Sequence, residues 1–457
     1  MTVASTLDQR SILAASFFWD KNQGSGLNSL DWFPTTLACQ LATFSREYES
    51  VLVRRLRQPP LSNVGGFPPE RQMKALILEP MDELKELWSS DDDRAVIVLD
   101  GLDECGDSEA LEILMKLVLM LDGLPKKFAV LVSCRPESQV VSAWEKASCE
   151  VPIENVDALE QFHTVRRMVE EGLKERVEGS EWKPSSKDYD EFARACRELP
   201  ILASIRVRDV RCLTARGSTL KREFLSLSNI KSAPKDLDAE YLRILRRAFM
   251  SGPIEIPEYV ISDYRQVIGT IVAARDEVGV NTMARLLGKT SEEIRGTLEP
   301  ISSIIDLPSD NTNKVKFYHA TIKEFITGKP KGTQKDGVFF TNDMNGYFLG
   351  LPLLKLLNNA SEQLGMPSDP PLGDRNKWHK FMRDKPWLLP HIQYATKYLF
   401  YHLDPSQLSG EIRSEFDRFL SRNLLSFLIL YPDSLIKFSD KIAQIVSRLS
   451  VQFNSMM

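Results

Sequence analysis

Residues 95–107 read AVIVLDGLDECGD, an apolar run that ends in a group of acids. The apolar run predicts a buried strand, and Gly101 permits a sharp exit from it. Side chains at the carboxyl end of a strand in a parallel sheet face the ligand crevice of such folds. Asp100 is therefore predicted to bind Mg²⁺, usually through water, at the place where a nucleotide phosphate would meet the sheet.

The segments around this strand supply its neighbours. Ser11 to Trp19 (SILAASFFW) and Phe128 to Cys134 (FAVLVSC) are apolar runs of strand length, and Ser108 to Asp122 carries apolar residues at helical spacing. Asp107 is placed to cap that helix. Strand, helix and strand in this order predict a βαβ unit, with neighbouring parallel strands in a sheet covered on both faces.

A cation follows the next strand of this unit. In VLVSCRPE, Arg135 leaves its strand at the edge where Asp100 leaves the neighbouring one. An arginine there can sense or stabilise a phosphate, and Asp103 or Glu104, one turn beyond Asp100, can orient a hydrolytic water. The simpler alternative is a strand-to-helix turn whose acids only favour the helix N-terminus, with Arg135 as a surface residue. The pair of motifs, one βαβ unit apart, favours the nucleotide site.

The remainder of the chain changes character beyond about Val151. Residues 1–155 are predicted to form the parallel-sheet α/β domain, and residues 156–235 a helical lid that ends in the linker-like KSAPKDLD. Residues 236–330 contain three predicted helices followed by two short strands, SIIDL and KVKFYH, which is the pattern of a winged helix. Residues 331–457 are predicted to form a helical arm.

Composition excludes several classes of protein. The 457-residue chain has a net charge of -5, which gives no global electrostatic case for binding nucleic acid or an anionic membrane. Its six cysteines are scattered without zinc-ligand spacing and are expected to be reduced thiols. The sequence contains no uncharged apolar stretch of about 18 residues and no typical signal peptide. We therefore expect a cytoplasmic protein without a membrane-spanning segment.

Several motifs together resemble a known family. DGLDE followed by SCRPE, the upstream ASFFWDK and WFPTTLACQLA, and the downstream FYHATIKEFI are similar to the NACHT class of STAND P-loop NTPases, in particular fungal members with a nephrocystin-like NTPase domain. The resemblance covers about residues 11–330. It implies that Asp100 is the Walker B acid, that Asp103 and Glu104 are its catalytic extension, and that Arg135 is the sensor. It also implies ATP or ADP with Mg²⁺ as ligands, in a signalling or self-recognition protein whose nucleotide state controls domain opening.

The resemblance also draws attention to His319, at the end of the second predicted wing strand. Related signalling NTPases place a histidine near this point, where it contacts the β-phosphate of ADP. Ala320 replaces the acid that follows this histidine in the plant-type pattern. A nucleotide contact and a hydrogen-bonded structural histidine therefore both remain open for His319.

The phosphate-binding loop of such proteins, GxxxxGK[S/T], is missing from the sequence. The single GKT begins at Gly288 and would need a glycine where Met283 stands. Gly288 instead suits the end of one helix, and Thr290 with Glu293 forms a capping box that starts the next. We therefore expect neither tight ATP binding nor appreciable ATPase activity. Two explanations remain open. The gene or gene model is truncated, or the protein is a degenerate family member that acts as a scaffold and pairs with full-length relatives or with itself.

A winged helix also raises the possibility of a DNA-binding regulator. The third predicted helix, SEEIRGTLEPI, carries Glu292, Glu293 and Glu299 against Arg295 alone. Contacts with DNA phosphates need the opposite balance of charge. We therefore expect other proteins, rather than nucleic acid, to be the partners of this chain.

Overall fold

The chain forms two compact units, Met1–Asn155 and Val156–Met457, which are described separately. The Gly, Ser and Asn content of KNQGSGLNSLD (residues 21–31) predicts a loop, and the DDD of residues 91–93 predicts a turn before the strand at Ala95. These two segments, the KSAPKDLD linker and the end of the carboxyl-terminal arm lie wholly or partly outside the described residues. The computed structural model describes residues 2–20, 30–59, 61–88, 94–135, 137–147, 152, 158–229, 234, 236–250, 256–341, 346–364, 389–404 and 410–424.

A three-stranded parallel sheet forms the centre of the first unit, in the order β1-β2-β3. The register pairs Phe18 with Asp100 and Asp100 with Ser133, so the carboxyl ends of all three strands meet at one edge. This confirms the parallel sheet predicted from the sequence. The strands are β1 (Leu13–Phe18), β2 (Ala95–Asp100) and β3 (Phe128–Ser133).

Helices cover this sheet. The sequence from about Arg71 to Ser89 predicts a helix. The helix is present, with a π-helical turn (Lys74–Leu78) that joins α4 (Pro69–Met73) to α5 (Glu79–Glu83), and it ends earlier than predicted, at Glu83. Asp107 caps α6 as predicted, because its side chain accepts a hydrogen bond from Ala110 N at 3.0 Å. The helices are α1 (Thr2–Gln9), α2 (Phe33–Phe44), α3 (Arg46–Leu56), α4 (Pro69–Met73), α5 (Glu79–Glu83), α6 (Ser108–Met120) and α7 (Ser138–Glu145).

Burial differs between the strands of this sheet. In β2, Ile97 and Leu99 are fully buried and Val98 is nearly so, as expected for a strand covered on both faces. In β3, by contrast, Leu131 is 47% exposed. The expectation of full coverage is therefore wrong for β3. The elements that bury both faces of β2 do not extend over the middle of β3, whose side chains from Ala129 to Ser133 are partly or fully exposed.

The second unit is helical apart from one short hairpin. An antiparallel pair is formed by β4 (Ile305–Asp306) and β5 (Lys316–Phe317), in which Ile305 lies opposite Phe317. Three helices precede it: α13 (Glu258–Ala273), α14 (Val280–Leu287) and α15 (Ser291–Leu298). The pattern YRQVIGTIVAAR predicts that the first of these helices begins at Tyr264. It begins instead at Glu258, because residues 258–263 contain no helix breaker. Gly288 ends α14 with a φ of 64°, and Thr290 and Glu293 form the predicted capping box.

The described helices of the second unit share two apolar clusters. One lies among α8 to α11 and includes Phe192 and Phe224, and the other spans the elements from α12 onward. None of the described helices is both long and apolar enough to cross a membrane. The elements are α8 (Ala158–Glu178), α9 (Ser186–Ala195), α10 (Pro200–Ala215), α11 (Leu220–Ser228), α12 (Leu237–Phe249), α13 (Glu258–Ala273), α14 (Val280–Leu287), α15 (Ser291–Leu298), β4 (Ile305–Asp306), β5 (Lys316–Phe317), α16 (Ala320–Thr327), α17 (Gly350–Leu364) and helices at Pro390–Tyr398 and Gly410–Arg422.

Candidate functional site

Asp100 ends β2 and is held by both neighbouring strands. Its carboxylate accepts a hydrogen bond from the hydroxyl of Ser133, the residue opposite it in β3. Its backbone oxygen accepts a hydrogen bond from the backbone N–H of Trp19 at 3.0 Å, just after β1. Asp100 is half-buried, so part of its carboxylate faces solvent at the carboxyl edge of the sheet. This is where the sequence places an acid for a metal ion or its bound water.

The chain leaves β2 through a conformation that requires glycine. Gly101 has a φ of +73°, in the left-handed region, and a Cβ added there would lie 3.1 Å from the backbone oxygen of Trp19. Its N–H donates to the backbone oxygen of Ser133 at 3.1 Å. The turn that follows, Leu102–Glu104, is a 3₁₀ helix. The sharp exit predicted from the sequence is therefore present, and it turns the next acids back toward the sheet edge.

Asp103 and Arg135 are joined across this edge. The backbone N–H of Arg135 donates to Asp103 Oδ1 at 3.0 Å, and Arg135 Nε lies 3.4 Å from Asp103 Oδ2. Asp103 is 8% exposed, whereas the side chain of Arg135 is 45% exposed. Burial and the charge of Asp103 raise the pKa of the intervening Cys134 thiol. Asp103 therefore fixes the direction of the arginine while the guanidinium stays accessible.

Glu104 shares the 3₁₀ turn with Asp103 and is half-buried. Its backbone N–H donates to Gly101 O at 2.8 Å, which closes the turn. Within the described residues no group of three or more histidine, cysteine or acidic side chains is arranged to hold a metal ion. A metal at this edge would therefore depend chiefly on the carboxylate of Asp100, with water as its other ligands.

His319 belongs to the second unit, whereas the sheet belongs to the first. It caps α16, where its Nδ1 accepts a hydrogen bond from Thr321 N at 3.2 Å and lies 3.0 Å from the Thr321 hydroxyl. The same hydroxyl lies 2.6 Å from the hydroxyl of Tyr241. These contacts show how His319 would act as a hydrogen-bonded structural histidine. A role in nucleotide contact stays a prediction.

Two polar partners at this edge were not singled out from the sequence. Ser133 lies inside the motif VLVSCRPE, and its position opposite Asp100 follows only from the parallel register. Trp19 ends the SILAASFFW run. Its backbone N–H bonds Asp100, and its backbone oxygen lies where it would crowd a Cβ at Gly101. The parallel register could have identified Ser133 as a neighbour of Asp100, because residues that end adjacent parallel strands lie side by side.

The chemistry of this edge can be compared with what a nucleoside triphosphate requires. A tightly bound triphosphate needs several amide donors and a lysine arranged around its phosphates, besides the metal. The described edge presents the acids at Asp100, Asp103 and Glu104 and one cation, Arg135, which already contacts Asp103. Acids repel phosphate unless a metal lies between them. The described residues therefore do not fit a tight triphosphate site.

The fold and this edge define a parallel-sheet α/β domain with an acid at the end of β2 and an arginine two residues after the end of β3. Residues 1–135 match the family model described as nephrocystin 3, N-terminal. The matched region contains all three strands and ends on Arg135, so it includes the whole edge. The first part of the chain is therefore similar to a nephrocystin N-terminal domain. No curated protein matches the chain.

Proposed function

We propose that this protein is a STAND-type regulator whose first unit is a NACHT-like P-loop NTPase domain with impaired nucleotide binding. The observation that carries the proposal is the placement of Asp100 and Arg135 at the ends of adjacent parallel strands, on one edge. The likeness of residues 1–135 to a nephrocystin N-terminal domain supports it. In this proposal Asp100 is the Walker B acid, Arg135 the sensor, and Asp103 with Glu104 the acids of the extension.

The second unit supplies the remaining parts of the proposed switch. Residues 156–235 act as the helical lid, residues 236–330 as a winged helix, and residues 331–457 as the arm. Three helices followed by the β4–β5 hairpin support the winged-helix assignment.

The lid and the winged helix of this proposal are joined by a buried ion pair. Arg206 of α10 and Glu240 of α12 are both fully buried, with Nη2 and Oε2 3.0 Å apart. Separating them would remove two hydrogen bonds from a buried guanidinium and a buried carboxylate, which is costly even though Glu240 keeps its contact with Arg243. Such a contact suits a protein that holds one domain arrangement until a signal changes it. Signalling by domain opening, or self-recognition, is the output we infer.

The nucleotide chemistry of this chain is expected to be weak. Mg²⁺ and the phosphates of ATP or ADP would find one accessible carboxylate and one arginine among the described residues of the edge. Each missing charge-assisted hydrogen bond is worth about 1.5 to 3 kcal/mol, so losing several turns a micromolar site into a millimolar or weaker one. We therefore infer that contacts with other proteins, including relatives or further copies of this chain, dominate its function.

Calorimetry with ATP and Mg²⁺ tests this proposal. The wild-type chain should give no saturable heat below about 1 mM nucleotide. The Asp100→Ala variant serves as the control for binding through the edge. Low-micromolar binding that Asp100→Ala abolishes would show that another loop replaces the missing phosphate cradle, and the impaired-binding proposal would fall. Absence of binding together with intact protein contacts would favour the nucleotide-independent scaffold.

A further inference from the structure

A polar cavity lies between the ends of three helices in the second unit. Its volume is about 530 Å³, a size that is typical of small-molecule sites in proteins. The lining residues fall within positions 175–182 at and after the end of α8, at Thr214 near the end of α10, and within positions 218–221 at the start of α11. The cavity therefore lies wholly within the second unit.

Arg176 is a half-buried cation of this lining. Its guanidinium has no ion-pair or hydrogen-bond partner within the described residues. A cation near the end of a helix often bonds the last carbonyl groups of that helix. Lys183 has this role at α8, because its Nζ donates to the backbone oxygens of Val177 and Glu178. Arg176 can therefore bind a negatively charged group of a ligand.

The other charged residues of the lining suit a ligand with a single anionic group. Lys221 adds an exposed cation at the start of α11. Of the two acids, Glu175 lies 3.5 Å from Arg211, which partly balances its charge, and Glu181 is exposed. The cavity thus has a small excess of positive charge. One phosphate or carboxylate fits this balance, whereas a triphosphate would bring several negative charges toward the acids.

Two hydroxyl groups of the lining can only accept a hydrogen bond from a ligand. The hydroxyl of Thr214 donates to the backbone oxygen of Val210 at 2.8 Å, and that of Ser218 donates to Glu223 Oε1 at 2.5 Å. A hydroxyl has one hydrogen, so each of these oxygens is left with acceptor capacity alone.

Two further hydroxyl groups of the lining can donate. The oxygen of Ser180 accepts from the backbone N–H of Trp182 at 3.3 Å, and that of Thr219 accepts from the backbone N–H of Arg222 at 3.4 Å. Within the described residues neither O–H donates to another group. The cavity therefore mixes donors with acceptors. This mixture suits the hydroxyl groups of a sugar, because each of them both donates and accepts, whereas a phosphate alone needs donors.

Trp182 supplies a rigid aromatic surface in the same lining. Its ring meets that of Phe224 edge-on, with centroids 5.4 Å apart and planes at 64°. Phe224 is fully buried, so it holds the half-buried indole in place. The apolar face of a sugar ring packs well against such a surface.

We propose that the cavity at the ends of α8 and α10 and the start of α11 binds a monosaccharide that carries one anionic group, either a phosphate or a carboxylate. Arg176 and Lys221 would bind the anionic group, the four hydroxyl groups would pair with those of the sugar, and Trp182 would pack against its ring. This site does not depend on the nucleotide switch proposed for the chain.

Calorimetry on the full chain tests the proposal with glucose 6-phosphate and glucuronate, which distinguish a phosphate from a carboxylate as the anionic group. At least one of these probes should give saturable heat with a Kd of about 0.1 mM, as expected for a ligand of this size. Glucose has the ring and hydroxyl groups without the charge, and it should bind at least about tenfold more weakly. AMP presents an aromatic base in place of most of the hydroxyl groups and should likewise bind at least about tenfold more weakly.

Two substitutions that each remove one positive charge form a matched pair. Arg176→Met should weaken binding of the anionic sugar at least about tenfold. Arg222→Met, at an exposed residue outside the lining, should leave it unchanged. Asp100→Ala should also bind like wild type, which separates this site from the sheet edge. If Arg176→Met does not fold, Lys221→Met keeps the test informative, with an expected loss of about threefold.

Three results would overturn the proposal. The first is the absence of saturable heat from both anionic sugars up to about 10 mM. The second is binding of glucose or AMP as tight as that of the anionic sugars. The third is an equal loss of binding in Arg176→Met and Arg222→Met, because the cavity would then not be the site.

Discussion

Arg135 contacts Asp103 twice, through its backbone N–H at 3.0 Å and through its Nε at 3.4 Å. The contact links the end of β3 to the turn after β2, and it places the guanidinium of Arg135 beside the acids of the carboxyl edge. Asp103 thus has a visible positioning role that its predicted role in orienting water does not require. The two roles make different demands, because positioning needs a buried, paired carboxylate and catalysis needs an accessible one.

Replacing Asp103 should destabilise the first unit. Asp103→Ala leaves the N–H of Arg135 without its acceptor, and we expect the free energy of unfolding to fall by about 1 to 3 kcal/mol. Urea denaturation measures this change. Glu109→Gln, at an exposed acid in the first turn of α6, is the matched control and should change stability by no more than about 0.5 kcal/mol. Equal effects of the two substitutions would contradict a positioning role for Asp103.

The buried pair of Arg206 and Glu240 should be far more sensitive to a single substitution than an exposed pair. Arg206→Met removes two hydrogen bonds from the buried carboxylate of Glu240, which keeps Arg243 as a partner, and the expected loss is about 1.5 to 3 kcal/mol in the free energy of unfolding. The double variant Arg206→Met with Glu240→Leu should recover part of that loss. Glu191→Gln removes the exposed pair with Lys187 and should cost less than about 1 kcal/mol. Similar losses for the buried and exposed pairs would refute this account.

Asp336 should make the second unit less stable in acid. Arg246 binds both of its carboxylate oxygens, at 2.7 and 2.6 Å, and with the amide and hydroxyl of Thr333 it lowers the pKa of Asp336 to about 2. The unfolded value is about 3.9. The folded pKa is the lower one, so the stabilisation is complete above about pH 4 and is lost as the pH falls toward 2.

The Asp336→Asn variant tests this pH dependence. At pH 7 it should lose about 2 kcal/mol of unfolding free energy, and below pH 4 its stability should fall less steeply than that of wild type. Urea denaturation at pH 7, 4 and 3 gives both quantities. Parallel loss of stability in the two proteins between pH 4 and pH 3 would show that another carboxylate is responsible.

Helix α15, the last helix before the β4–β5 hairpin, should not bind DNA. Arg295, its only cation, already bonds Asn311 Oδ1 at 2.6 Å and the backbone oxygens of Pro308 and Ser309 at 2.5 and 2.8 Å. Its guanidinium is therefore committed to the loop between β4 and β5. Fluorescence anisotropy with a DNA duplex at low salt, where phosphate contacts are strongest, should show no specific affinity. Micromolar, salt-sensitive binding lost in Arg295→Ala would contradict this expectation.

Local sequence patterns determined much of this protein. The apolar runs ending at Asp100 and Cys134 fixed two strands, and the helix between them fixed their parallel direction. The cap at Asp107, the left-handed Gly288 and the capping box at Thr290 follow from residues within one helical turn of each other. These features are predictable because the interacting groups are neighbours in the chain.

Contacts between distant residues were decided only by the tertiary structure. The sequence placed Asp103 and Arg135 at one edge, but it could not show that they contact each other across 32 positions. Nothing in the sequence indicates that the side chain of Gln40 bonds the backbone of Ser16 in β1, or that the apolar Leu131 stays exposed. A polar side chain can bond to many partners of the same chemical type, and an apolar residue can pack against any apolar surface. Only the three-dimensional arrangement selects the partner.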